Sequence, residues 1–63
     1  MKKHFDGEGY HKLYTKGGKI ERQGFFKNYK LIEGKKYYYT ADGQLDRIAV
    51  YKEGKIFEIK YSD

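Results

Sequence analysis

Sliding the sequence against itself by 25 residues superimposes 8–36 on 33–61 without a gap, and ten of the 29 aligned positions are identical. The identities pair Glu8 with Glu33, Gly9 with Gly34, Tyr14 with Tyr39, Thr15 with Thr40 and Gly18 with Gly43. They continue with Arg22 and Arg47, Lys27 and Lys52, Lys30 and Lys55, Glu33 and Glu58, and Lys35 and Lys60. Self-similarity at a fixed period marks a supersecondary unit that buries its apolar residues by stacking on its neighbour. The expected organisation is one domain over residues 1–63, with a first unit at 8–32, a second at 33–57 and a final strand at 55–61.

Each unit reads as a hairpin. Aromatic and β-branched runs are punctuated by Gly17-Gly18, Asp42-Gly43 and Glu53-Gly54, dipeptides that supply the positive φ of tight turns. No segment sustains apolar residues at helical spacing, and eight glycines interrupt every candidate. The fold class predicted is all-β, a five-stranded antiparallel meander, with strands at about Tyr10 to Thr15, Lys19 to Lys27, Lys35 to Thr40, Gln44 to Lys52 and Lys55 to Tyr61. Two-residue turns then set the register: Tyr39 opposite Asp46, Tyr37 opposite Ile48, Val50 opposite Phe57 and Ile48 opposite Ile59. Alternation predicts a core face of Tyr10, Tyr14, Phe25, Tyr37, Tyr39, Ile48, Val50, Phe57, Ile59 and Tyr61. The other face collects Leu13, Ile20, Phe26, Tyr38, Leu45, Tyr51 and Ile56 among Arg22, Arg47, Lys36 and Lys60.

A chain of 63 residues buries a modest share of its surface, and with no cysteine it has no disulfide to supplement its core. Eight tyrosines and four phenylalanines compensate for the high charge content, because each aromatic ring buries a large area. Two partly apolar faces on a single sheet predict self-association, most simply a homodimer. Met1-Lys2-Lys3 runs into polar Asp6-Gly7-Glu8 and no apolar stretch reaches membrane-spanning length, so the expectation is a cytoplasmic protein with no membrane partner.

The spacing Gly-x-x-x-x-Tyr-x-x-x-Gly-x-Leu/Ile occurs at Gly9 to Ile20 and again at Gly34 to Leu45, and Tyr51-Lys52-Glu53-Gly54-Lys55 follows as an aromatic-Lys-x-Gly-Lys turn. This pattern resembles the variant MORN repeat of bacterial toxin–antitoxin antitoxin components and covers nearly the whole chain. The resemblance implies a β-hairpin repeat architecture and a binding role without catalysis.

The residues read by themselves point the same way. Nucleophilic catalysis needs a hydroxyl or thiol held near a base, and the single serine, Ser62, stands at the chain's end. Asp42 and Glu53 occupy turns, where they serve backbone geometry. His4, His11 and Asp6 make too small a set for a metal, and no glycine-rich loop has the strand-to-helix context of a phosphate cradle, so no cofactor is expected. What remains is a surface. The net charge is +5, and register sets Arg22 opposite Leu13 and Arg47 opposite Tyr38. The partner-contacting residues expected are Tyr38, Arg22, Arg47, Lys36 and Lys60, with Tyr38 as the anchor, since exposed Tyr and Arg carry interface energy most often.

The function expected is that of an antitoxin-like or inhibitor-like module that blocks another protein, a toxin or nuclease, by occupying its surface. A small phage-type inhibitor of a bacterial defence nuclease has the same profile. Two other classes compete: a nucleic-acid-binding sheet that stacks bases on tyrosines, and a structural domain that self-assembles.

Overall fold

The computed structural model describes residues 5–62; His4, in the weak metal trio, lies outside them. Five strands follow in chain order: β1 (Gly9–Tyr14), β2 (Ile20–Lys27), β3 (Lys30–Tyr39), β4 (Leu45–Lys52) and β5 (Lys55–Tyr61). They form one antiparallel sheet in the order β1-β2-β3-β4-β5. Among the described residues there is no helix, so none that could cross a membrane. The described residues extend over 35 × 30 × 12 Å, a flat single layer. Among the described residues no second sheet or helix packs on either face.

β3 begins at Lys30, five residues before its expected start, because Asn28 and Tyr29 form a two-residue turn at φ 52° and 68°. The β4–β5 turn repeats that geometry at Glu53 and Gly54, φ 53° and 77°. Positive φ at both central residues matches the right-handed twist of the flanking strands.

The same backbone features recur 25 residues apart. Thr15 N–H donates to the Lys19 carbonyl and Gly18 N–H to Thr15, at 2.6 and 2.9 Å; Thr40 and Gly43 donate to Gln44 and Thr40 at 2.8 and 2.9 Å. Tyr29 N–H donates to the Gly7 carbonyl and Gly54 N–H to Ile32, at 3.1 and 3.0 Å. The register slips between Leu13 and Tyr14 and between Tyr38 and Tyr39, and likewise between Phe25 and Phe26 and between Val50 and Tyr51.

These β-bulges correct the expected register. Tyr37 does stand opposite Ile48, but Tyr39 pairs with Leu45 in place of Asp46. Beyond the second slip Val50 pairs with Glu58 and Ile48 with Lys60, in place of Phe57 and Ile59. One extra residue, Phe57, moves every later β5 side chain to the opposite face from the one expected.

The core also lies on the other face. Register carries Leu13, Arg22, Lys36, Ala49 and Ile59 across one face, hereafter the front, together with Phe26, Leu31, Tyr38, Arg47 and Tyr51. The buried apolar residues Phe26, Leu31 and Ala49 are all there. Tyr10, Tyr14, Phe25, Phe57, Ile59 and Tyr61, expected in the core, are exposed. The reason is the segment ahead of β1: Phe5 sets its ring edge-on to Phe26 at 4.9 Å, His11 at 4.9 Å and Tyr29 at 5.5 Å, roofing the front face over the β2–β3 corner. On the back face Tyr39 is held by donating its hydroxyl to the Ile20 carbonyl at 2.6 Å, and Lys19 reaches over to the Gly43 carbonyl.

Candidate functional site

The front face beyond the roofed corner carries the candidate site. Arg22 on β2 pairs directly with Lys36 on β3, and Tyr38 on β3 with Arg47 on β4. Alternation on the central strand places Lys36 and Tyr38 side by side, so the four side chains form one patch. The Arg47 guanidinium lies 4.3 Å from the centre of the Tyr38 ring and the Lys36 ammonium 5.1 Å from it. Each exposed cation–ring contact is worth about 0.5 to 1 kcal/mol, which holds the ring in place without hiding it. Arg47 also donates to the neighbouring Asp46 carboxylate through Nη1.

The Arg22 guanidinium lies 5.6 Å from the centre of the Phe26 ring, and its Nε is shut off from solvent with no hydrogen-bond partner among the described residues. Beside it an open hollow of about 280 Å³ is lined by Arg22, Lys30, Lys36, Tyr29, Leu31, Tyr51 and Gly54. Three cations and two phenols face this hollow and, among the described residues, no carboxylate does. Burial, and then the nearby Tyr38, push the Tyr51 phenol above its ordinary pKa, with the Arg22 guanidinium pulling the other way. Tyr51 therefore remains a neutral hydroxyl near pH 7, able to donate as well as accept.

Four of the five residues expected to contact a partner thus come together: Tyr38, Arg22, Arg47 and Lys36. Lys60 does not. It pairs with Ile48 and points to the back face, because the Phe57 bulge shifts β5 by one; Tyr61 takes the place opposite Arg47. Sequence reasoning missed Tyr29, Lys30 and Tyr51. Asn28, a residue that tolerates positive φ, standing 25 positions before Glu53, was the signal for the turn that brings Tyr29 and Lys30 to the hollow.

The chemistry on offer is anion recognition beside a flat aromatic surface, through guanidinium, ammonium and phenol donors. Near the amino end, His11 Nε2 lies 2.6 Å from the Glu8 carbonyl oxygen and 3.2 Å from Asp6 Oδ1. Among the described residues no three His, Cys, Asp or Glu side chains are grouped to hold a metal ion. Comparison with known proteins finds no matching family model, no matching curated protein and no matching solved structure.

Proposed function

We propose that the chain is a non-catalytic protein-binding module, antitoxin-like or inhibitor-like, built from a duplicated MORN-like hairpin unit and acting by laying its front face on an acidic surface of a toxin or nuclease. The observation that carries this reading is the Tyr38 ring held between Lys36 and Arg47, next to a hollow lined, among the described residues, by cations and phenols without a carboxylate. A rigid aromatic with a polar tip, flanked by arginines, is the composition of an interface anchor.

The test is a Tyr38→Ala, Arg22→Ala, Arg47→Ala triple variant, checked for folding by circular dichroism and titrated against the partner captured from a native extract. Binding should weaken at least tenfold, the scale of losing one or more anchors. A variant that folds and binds as tightly as the parent overturns the assignment of the face. A salt series separates the competing class, since affinity for nucleic acid falls steeply and linearly in log salt as phosphate counterions are released.

A further inference from the structure

The two edges of the sheet differ. All seven residues of β5 are exposed, and its apolar side chains Ile56, Phe57, Ile59 and Tyr61 are 39 to 72% accessible. An edge strand presents unpaired N–H and C=O groups, and natural sheets usually blunt such an edge with charge, proline or a cover. The β5 sequence Lys55-Ile56-Phe57-Glu58-Ile59-Lys60-Tyr61 has no proline, and its charges alternate in sign in a way that bears on pairing.

Ser62 N–H donates to the Asp46 carbonyl at 3.0 Å, so the backbone groups of Ser62, and by alternation those of Lys60 and Glu58, turn toward β4. The groups of Ile59 and Tyr61 therefore turn outward. An antiparallel partner must match outward-turned residues with outward-turned residues, which limits a second copy of β5 to registers centred on a single residue. Centring on Glu58 sets Glu58 against Glu58. Centring on Ile59 sets Ile59 against itself with a reciprocal pair of backbone hydrogen bonds and Glu58 against Lys60 twice, and brings the bulged Phe57 beside Tyr61. That register is complementary in charge and in apolar surface.

We propose that β5 is a homodimer edge, two copies joining antiparallel about a two-fold axis through Ile59 to make one continuous ten-stranded sheet. The axis is perpendicular to the sheet, so the two front faces lie on the same side and the Tyr38 patches become a pair. The inference stands apart from the reading of the front face.

Sedimentation from micromolar to millimolar concentration tests it. The parent should approach twice its 7.5 kDa mass. Glu58→Lys and Lys60→Glu each replace two opposite-charge contacts with two like-charge ones and should raise the dimer dissociation constant about tenfold or more. Mixing the two variants restores both Glu–Lys contacts, and the mixture should dimerise as the parent does. A parent that stays monomeric, an open-ended series of larger species, or a mixture no tighter than its components overturns the proposal. An independent readout is Ile59→Cys in this cysteine-free chain. Across the two-fold axis the Cα atoms of a hydrogen-bonded pair stand about 5.5 Å apart, within disulfide range, so mild oxidation should link Ile59→Cys copies. Ile56→Cys, off the axis, should not link, and equal linkage of the two overturns the register.

Discussion

At the β2–β3 corner Phe26 and Leu31 are 4% and 6% exposed, while at the β4–β5 corner, 25 residues on, Ile56 is 50% exposed and Tyr51 only half-buried. The two backbones follow one plan: the same turn, the same bulge, and a hydrogen bond from the turn to a carbonyl 22 residues earlier, Gly7 in one case and Ile32 in the other. What differs is the cover. Phe5 stands on Phe26 and against Tyr29, whereas the residue 25 places after Phe5 is Lys30, which lines the hollow, and the residue 25 places after Tyr29 is Gly54, without a side chain. Local geometry makes a corner; side chains laid over it make a core. The hollow lies between the two corners, lined by Tyr29, Lys30 and Leu31 from one and by Tyr51 and Gly54 from the other, and the free edge runs from the uncovered one.

The largest test of this comparison is to truncate both corners. Phe26→Ala removes a ring packed among Phe5, His11 and Arg22 and should cost about 3 to 5 kcal/mol, enough to unfold much of a domain this small. Ile56→Ala, half exposed already, should cost about 1 kcal/mol or less. Urea denaturation followed by circular dichroism measures both. Equal losses would mean that the two corners contribute alike and that the roof is incidental.

A smaller effect isolates the roof itself. Gly7 and Gly9 both have positive φ, 75° and 84°, where an alanine is strained by about 1 to 2 kcal/mol. A Cβ on Gly7 would also stand 2.7 Å from the Tyr29 ring and 2.8 Å from its backbone nitrogen, whereas one on Gly9 meets nothing within 4 Å. Gly7→Ala should therefore destabilise more than Gly9→Ala, and the surplus measures how firmly residues 5–8 are seated. Identical melting temperatures for the two variants would detach that segment from the folding unit.

The strands and their order were legible because alternation and glycine-bearing turns are local signals, and Arg22, Lys36, Tyr38 and Arg47 fell on one face because no bulge intervenes among their pairs. Lys60 was misplaced by Phe57, a bulge residue indistinguishable in sequence from an ordinary strand aromatic. The core face was misread for a related reason. Alternation sorts side chains into two sets, but which set is covered depends on where Phe5 folds back, a contact with Phe26 that no period of two or 25 encodes. Tyr29 hid the β2–β3 turn, since a bulky residue at φ 68° carries none of glycine's turn signal.

The subtlest contrast is between the two long loops. Thr15 and Thr40 hydroxyls both accept from the backbone, from Lys19 and Gln44 N–H at 3.2 and 3.1 Å, but only the second loop has a carboxylate beside the threonine: Asp42, where the first has Gly17. Donation from the Thr40 hydroxyl holds the Asp42 carboxyl below its ordinary pKa, outweighing the opposing desolvation, with a lesser contribution from the Gln44 backbone N–H. A carboxylate with a depressed folded pKa stabilises the fold above its unfolded value and loses that contribution as pH falls through the folded one, so the window lies at and below the ordinary 3.8. Asp6, depressed first by the Glu8 N–H and then by His11, titrates in the same window at the other end of the sheet. On acidification from neutrality to about pH 3, amide resonances of Thr40, Gly43 and Gln44 should shift with the Asp42 titration while those of Thr15, Gly18 and Lys19 hold nearly still. Asp42→Asn should abolish the shift in the second loop and make the acid limb of the stability curve shallower, leaving the Asp6 component. Matching shifts in both loops, or an unchanged acid limb in Asp42→Asn, would show that the loops respond to the sheet's overall charge and that Asp42 is a spectator.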